Sequence, residues 1–150
     1  YEVMPASMRN MLETFTRRGG SLLVSGAYVA SDMLADNRDN DSRLFINNVL
    51  RCHLAGTYDG QNDAISGLGT SMQFYHQLND QHYAATRTDI LAPLAPAFAT
   101  MLYGNGNAAC VAYKGSDYRT ITMGFPFECI KGEKKQGVVM RALARFLLMN

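Results

Sequence analysis

Ser25 is the residue whose position in this chain most strongly suggests chemistry. It lies in "GGSLLVSGAYVASD", where an apolar run predicts a buried strand at 21–25 and the residues after Ser25 predict a helix. A serine at such a turn lies at the carboxyl edge of a sheet, where open α/β folds bind ligands. Acyl transfer from this position would also require a general base and an oxyanion hole.

The local motif favours a structural role for Ser25. The hydrolase elbow is Gly-x-Ser-x-Gly. In "LVSGA", Leu23 and Ala27 stand where the glycines belong. Serine is also a preferred helix-capping residue, so the alternative is that Ser25 caps a helix starting at Gly26 or Ala27.

The histidines and cysteines show no spacing typical of a metal site, so we predict neither a metal nor a cofactor. Cys110 and Cys129 lie in apolar, strand-like surroundings, which is typical of small buried hydrophobic residues. His76 lies on an alternating pattern, which favours a packed or hydrogen-bonded histidine. The residues considered are His53, His76, His82, Cys52, Cys110 and Cys129.

Composition excludes several classes of protein. The chain has 150 residues with 47% hydrophobic and 18% charged residues, as in an ordinary globular domain, so we predict one domain over 1–150. The formal net charge of +1 argues against nucleic-acid partners. No apolar run approaches the roughly 20 residues of a membrane span.

The first third of the chain predicts helices around one strand. The apolar spacing in "ASMRNMLETFTRRGG" predicts an amphipathic helix whose stripe contains Met8, Met11, Leu12 and Phe15. "AYVASDML" predicts a second helix and "ADNRDNDS" a polar loop. Asp39 or Asp41 is then expected to cap a helix over "SRLFINNVLRCHLAG".

The remainder predicts strands and a final helix. Short strands are expected at 64–67 and in the alternating 72–78, whereas "TDILAPLAP" predicts irregular structure. "FATMLYGNGNAACVAYKGSDYRTITMGFPFE" predicts three strands joined by tight turns. The last helix is expected to turn inward Val139, Met140, Leu143, Phe146 and Leu147. This order predicts an α/β fold with a parallel centre and an antiparallel edge.

Three segments carry a resemblance to a known family. "RRGGSLLVSGAYVASDML", "YGNGNAACVAYKGSDYRTITMGFPFECI" and "VVMRALARFLL" resemble the class I glutamine amidotransferase-like domain near the C-terminus of secreted Bacteroidetes proteins. Many of these are described as xanthan lyases or as golvesin-C-like domain proteins. The resemblance implies a three-layer flavodoxin-like sheet that lacks its first strands, which would lie before Tyr1. It also implies a secreted, periplasmic or cell-surface location.

The resemblance assigns roles to Ser25 and Glu128, the two candidate catalytic residues. Active members carry a cysteine in the elbow and a His-x-Glu pair after a later strand. Ser25 falls at the cysteine and Glu128 near the glutamate, whereas Pro126 replaces the histidine. Because proline cannot act as a base, the resemblance implies a chain without this activity. Ser25 and Glu128 both follow predicted buried strands, and the carboxyl ends of parallel strands share one edge of a sheet, so we expect Glu128 close to the Ser25 turn.

Three hypotheses about function follow. The first is a non-catalytic, amidotransferase-like accessory or interaction domain of a secreted bacterial protein linked to polysaccharide processing, with neighbouring domains, a glycan or a protein as partner. The second is an enzyme, a serine hydrolase or a polysaccharide-cleaving enzyme, in which Ser25 works with His53, His76 or His82. The third, from fold analogy alone, is a module that binds a small ligand at the carboxyl edge of the sheet.

Overall fold

A mixed six-stranded β-sheet organises the protein, seen in a computed structural model that describes residues 4–35 and 38–149. Its strand order is β1-β8-β7-β6-β3-β4, and a second sheet pairs β2 with β5. The strands are β1 (Leu22–Ser25), β2 (Cys52–Tyr58), β3 (Ala64–Gly67), β4 (Thr70–Gln73), β5 (Thr88–Pro93), β6 (Phe98–Tyr103), β7 (Ala108–Lys114) and β8 (Arg119–Met123).

The helices are few and mostly short. The α-helices are α1 (Ala6–Arg17), α2 (Val29–Met33), α3 (Asn40–Leu44) and α4 (Glu133–Leu148). A π-helical turn, Phe45–Val49, continues α3, and a 3₁₀ turn, Phe127–Cys129, follows β8. Residues 36 and 37 of the predicted polar loop lie outside the described residues.

The predicted fold class is wrong. β1 pairs with β8 in parallel, but every other strand pair among the described residues is antiparallel. The parallel pair lies at one end of the larger sheet rather than at its centre, so this is not a three-layer flavodoxin-like sheet. Tight turns explain the difference, because a short connection joins strands only in antiparallel fashion.

The three strands predicted near the end of the chain are confirmed as β6, β7 and β8, and the strand predicted at 64–67 is confirmed as β3. In the "GNGN" turn, Gly106 has φ +87°, a backbone conformation that favours glycine. The Asn105 side chain accepts the Asn107 N–H in the same turn. The Asn-Gly pair therefore forms a reversal, as the sequence predicts.

β1 is covered on both faces although it lies at the end of the sheet. Leu22 and Val24 pack against a core that contains Phe45, whereas Leu23 packs against the core that contains Val139. Successive side chains of a strand point to opposite faces, so the apolar run "LLV" serves two cores at once. The predicted strand is confirmed as Leu22–Ser25, but its apolar residues are only half-buried and Ser25 is exposed, and the expected central placement is wrong.

The helix predicted over "SRLFINNVLRCHLAG" ends much earlier than expected. Asp39 caps α3 by accepting the Ser42 N–H, as the sequence suggests, but Cys52 already begins β2. "TDILAP", expected to be irregular, forms β5 beside it. Proline is tolerated at the end of a strand in a two-stranded sheet, which explains why Pro93 does not prevent this pairing.

α1 buries a different face from its apolar stripe. Arg9 is 3% exposed and donates to Ser42 Oγ at 2.8 Å, whereas Met11 is 64% exposed and Phe15 is 50% exposed. On α4, Val139 and Leu143 are buried as predicted, but Met140 is 40% exposed. Of the predicted stripe of α1, Leu12 therefore packs against the core, whereas Met8, Met11 and Phe15 remain on the surface.

Candidate functional site

A groove of about 610 Å³ lies beside the turn that follows β1. We call it the Ser25 groove. Ser25, Asp32, Tyr28 and Tyr83 give it polar atoms, and the last two are large exposed aromatic residues. Most of the remaining lining is apolar and comes from Met4, Pro5, Met8, Val24, Val29 and Met33.

The Ser25 turn and the "GFPFE" segment meet at the same edge of the sheet. β1 and β8 are parallel, with Ser25 paired to Met123, so the two segments leave the sheet together. The Phe127 N–H donates to Ser25 Oγ at 3.4 Å. The residue that bonds the "GFPFE" segment to Ser25 is thus Phe127, the residue before Glu128.

Glu128 is exposed in the 3₁₀ turn after β8. Burial raises the pKa of Tyr83, a residue that lines the groove. A direct contact between the Glu128 carboxylate and Ser25 stays a prediction. Tyr83 keeps its proton at neutral pH and so cannot serve as the missing base.

Ser25 does not cap a helix. α2 begins at Val29, and its N-cap residue, Tyr28, makes no side-chain capping bond. The buried carboxylate of Asp89 takes this role, since Asp89 Oδ2 accepts the N–H groups of Ala30 at 2.9 Å and Ser31 at 3.0 Å. Sequence reasoning missed Asp89 because it lies on β5, far along the chain.

Asp89 is the most connected residue beneath the groove. Its backbone N–H donates to the carbonyls of Ala27 and Gly124, and its carbonyl accepts the hydroxyl of Tyr103 at 2.7 Å. Desolvation raises the pKa of the Asp89 carboxyl, and the hydrogen bonds from Ser31 and Ala30 oppose that shift. A negative charge at the start of a helix is stabilised by the free N–H groups there. Asp89 thus fixes α2, one wall of the groove.

The histidines do not supply Ser25 with a base. His53 pairs with Asn47 through Nδ1 and Oδ1 at 3.0 Å, and His82 stacks on Tyr75 at 4.3 Å between ring centroids. Among the described residues that line the Ser25 groove there is no histidine. A serine hydroxyl without a base is a weak nucleophile.

His76 is buried, as the alternating pattern indicates. Its Nδ1 lies 2.7 Å from the Ala85 carbonyl, and its ring lies 4.8 Å from the Phe74 ring between centroids. The strand predicted over 72–78 ends earlier, because β4 stops at Gln73.

The cysteines are free thiols with no reactive character. Cys52, Cys110 and Cys129 are all buried, which confirms the expectation for the last two. Burial raises the pKa of each thiol to about 12. A protonated thiol is a poor nucleophile, so these residues pack as small hydrophobic groups.

A second, polar cavity of about 380 Å³ lies at the loop that contains His76. We call it the His76 pocket. The sequence analysis missed it because its lining combines three separate parts of the chain. They are 61–63, 75–82 and Lys131. The dense run of amide, histidine and tyrosine residues in "YHQLNDQHY" is the feature of the sequence that points to it.

Two kinds of feature are absent from the described parts of the chain. Within residues 4–35 and 38–149, no three His, Cys, Asp or Glu side chains are arranged to hold a metal ion. No helix in those residues is both long enough and apolar enough to cross a membrane.

Comparison with known proteins relates this chain to parts of carbohydrate-active enzymes. No protein-family model matches the sequence, and no curated protein matches it. Among solved structures, Gan42B, a GH42 β-galactosidase from G. stearothermophilus, is similar with a TM-score of 0.65 and 11% identity. That likeness covers 96% of this chain and 20% of Gan42B.

Two other solved structures show the same fold. The β-galactosidase of Halorubrum lacusprofundi has a TM-score of 0.61 and 13% identity, over 95% of this chain and 20% of that enzyme. The N-terminal domain of mmIFT52 has a TM-score of 0.60 and 12% identity, over 99% of this chain and 74% of that domain. This chain therefore spans about a fifth of the β-galactosidases that share its fold.

These findings correct the family resemblance. The similar structures are glycoside hydrolases and the mmIFT52 domain rather than glutamine amidotransferases, and the sheet lacks a parallel centre. The assignment to an amidotransferase-like domain, with its xanthan lyase label, is wrong. At 11–13% identity, the likeness to part of the glycoside hydrolases shows a shared fold. The secreted, periplasmic or cell-surface location rested on the family resemblance and stays a prediction.

Proposed function

We propose that this chain is a non-catalytic accessory domain of a larger carbohydrate-processing protein. The observation that carries the proposal is the environment of Ser25, an exposed hydroxyl in a mostly apolar groove whose described lining contains no histidine. The likeness to one part of larger β-galactosidase chains supports a role beside other domains.

The Ser25 groove is suited to packing against a neighbouring domain. Met8 lines it and is 44% exposed, and Met11 continues the apolar surface along α1 at 64% exposed. Tyr28 and Tyr83, 41% and 59% exposed, stand at the same groove. Contiguous exposed apolar surface of this kind marks interaction sites, and tyrosine is enriched at interfaces.

The absence of serine chemistry can be tested directly. A fluorophosphonate probe should not label the chain, and the chain should not hydrolyse p-nitrophenyl esters, because Ser25 has no base to take its proton. Ser25→Ala is the matched control. Stoichiometric labelling that disappears in Ser25→Ala would overturn the proposal.

The packing role can be tested by hydrogen exchange in the longer protein. We expect amides of segment 26–33, which forms a groove wall, to exchange more slowly in the longer protein than in this chain alone. The tight turn at 104–107, on the β6–β7 hairpin, is the internal control and should exchange equally in both. Equal exchange at both segments would contradict packing through this groove.

A further inference from the structure

The His76 pocket is a preformed cavity. Asn79 holds its loop, since Asn79 Oδ1 accepts the N–H groups of Gln81 at 3.0 Å and His82 at 2.7 Å. Asn79 Nδ2 also donates to the Gln77 carbonyl at 3.2 Å. A short side chain that makes three local bonds fixes the loop around itself, so the loop needs no ligand to take this shape.

One residue that lines this pocket has a buried polar atom without a partner among the described residues. His76 is 1% exposed, and its Nδ1–H donates to the Ala85 carbonyl at 2.7 Å. That bond leaves Nε2 as the acceptor of the neutral ring, and Nε2 makes no hydrogen bond. Buried polar atoms in folded proteins are nearly always paired. Six buried side-chain atoms of the described residues lack a partner, and His76 Nε2 is the one among them whose residue lines this pocket, so it is the candidate acceptor for a ligand's hydrogen-bond donor.

The charges of the pocket cancel. Lys131 Nζ lies 2.7 Å from Asp63 Oδ2, and both side chains are about one-third exposed. An anionic ligand would have to compete with Asp63 for this ammonium group. The ion pair offers a neutral ligand both donors and acceptors without net charge.

The rest of the lining is suited to hydroxyl groups and to an apolar ring face. Gln61, Gln77 and Gln81 contribute carboxamides, which donate and accept hydrogen bonds. Tyr75 and His82 stack at an interplanar angle of 10°, and Lys131 Nζ lies over the Tyr75 ring at 5.3 Å from its centroid. The face of His82 turned away from Tyr75 is therefore the flat surface left for a ligand. Pockets with a flat ring surface and a few convergent polar groups are typical of small-molecule sites.

We propose that the His76 pocket binds a neutral saccharide unit. Sugar hydroxyls would pair with the carboxamides and the Lys131–Asp63 ion pair, with one hydroxyl donating to His76 Nε2. The flat face of the sugar ring would lie against the face of His82 that is turned away from Tyr75. This inference rests on the proposed accessory role in carbohydrate processing, and it gives that role a ligand class.

Nuclear magnetic resonance titration of the whole chain tests the proposal. Galactose, mannose and lactose are added separately at millimolar concentrations, and inorganic phosphate serves as the anionic probe. We expect at least one sugar to shift the amide signals of 75–82 and Lys131 together with the Nε2 signal of His76. Phosphate should leave them unchanged. Phosphate binding without sugar binding, or no shift with any sugar, would overturn the proposal.

Surface variants separate binding from folding. Gln81→Ala removes one exposed carboxamide and should weaken sugar binding about tenfold, the equivalent of one net hydrogen bond. Asn10→Ala, an exposed amide change on α1, is the matched control and should leave affinity unchanged. Equal affinity in wild type and Gln81→Ala would place the sugar elsewhere and overturn the assignment.

The two proposals fail in different ways. Absence of sugar binding together with absence of Ser25 labelling overturns the saccharide site alone. Labelling of Ser25 by the fluorophosphonate probe overturns the accessory role, whatever the sugars do.

Discussion

The Ser25 groove and the His76 pocket each contain or adjoin a buried titratable group, and the two groups differ in how they are paired. Asp89, beneath the groove, accepts two backbone N–H groups through one oxygen. His76, in the pocket, uses one ring nitrogen and leaves the other without a partner among the described residues. Asp89 therefore joins separate segments of the fold, whereas His76 retains an unused acceptor.

Whether a polar group is paired distinguishes structural groups from candidate ligand-binding groups better than the position of the residue in the fold does. Ser25 has the position of a nucleophile but a structural bond to the Phe127 N–H. His76 has the position of an ordinary core residue but an unsatisfied atom. An unpaired buried polar atom costs free energy, so it is the stronger indication that something binds.

The largest effect should come from the glycine that lies against the Asp89 backbone. A Cβ on Gly124 would lie 2.5 Å from the Asp89 carbonyl oxygen and 3.3 Å from the Ala109 carbonyl oxygen. Gly124→Ala must therefore displace backbone and should lower the free energy of unfolding by about 3 kcal/mol. Urea denaturation measures it.

Gly26→Ala is the matched control for that substitution. A Cβ on Gly26 meets only the Val29 Cγ2 atom, at 3.1 Å, and a side-chain methyl group can yield. We expect a change of less than about 1 kcal/mol. Similar losses in the two variants would show that Asp89 is not rigidly held.

Removing the Asp89 carboxylate should have the next largest effect. Asp89→Ala leaves the N–H groups of Ala30 and Ser31 without their acceptor, which should cost about 2 kcal/mol in the free energy of unfolding. Asp32→Ala, on the same helix, is the control and should change the free energy of unfolding by less than about 0.5 kcal/mol. A loss no larger than that of Asp32→Ala would show that Asp89 does not cap α2.

The hairpins could be predicted from the sequence, because they depend on local patterns. The meeting of the Ser25 turn with "GFPFE" is not local, and it could be predicted only because the carboxyl ends of parallel strands share one edge of a sheet. Asn-Gly in "GNGN" specifies a reversal, and two apolar runs that end in Ser25 and Met123 suggest neighbouring strand ends. The helix predicted across Cys52 was wrong because pairing with β5 outweighs helical periodicity.

The cap of α2 and the His76 pocket could not be predicted, because each depends on residues far apart in sequence. Asp89 reaches Ala30 across 59 positions, and Lys131 reaches Asp63 across 68. The location of β1 at the end of the sheet is another such case. Its apolar residues indicate burial on both faces but do not specify how many strands lie beside it.

The pH dependence of the free energy of unfolding tests whether the pKa of the Asp89 carboxyl is raised. Desolvation raises its folded-state pKa above the ordinary value of 3.8. Its contribution to stability is therefore fully present below that ordinary value and is lost as the pH rises through the folded-state pKa. The carboxylate still accepts two N–H groups above that pH, but its ionisation then costs more in the folded chain than in the unfolded one.

Asp89→Asn removes this titration and keeps an oxygen acceptor. We expect the variant to gain stability relative to wild type as the pH rises from 3.8 through the folded-state pKa, by about 1.4 kcal/mol for each unit of raised pKa. Denaturation midpoints across that range measure the gain. A difference that stays constant, or that shrinks as the pH rises, would contradict the raised pKa.

The smallest effect should come from His76. His76→Leu removes the bond to the Ala85 carbonyl but also removes the unpaired Nε2, and it adds an apolar group beside Phe74. Because these changes oppose one another, the free energy of unfolding should change by less than about 1 kcal/mol, in contrast to Asp89→Ala. Urea denaturation gives the value, and sugar titration of the same variant should show the loss of binding.

A loss of stability as large as that of Asp89→Ala would mean that His76 is held as firmly as the carboxylate. Its Nε2 would then be an unpaired acceptor without a ligand-binding role, and the contrast between Asp89 as a structural group and His76 as a ligand-binding group would fail.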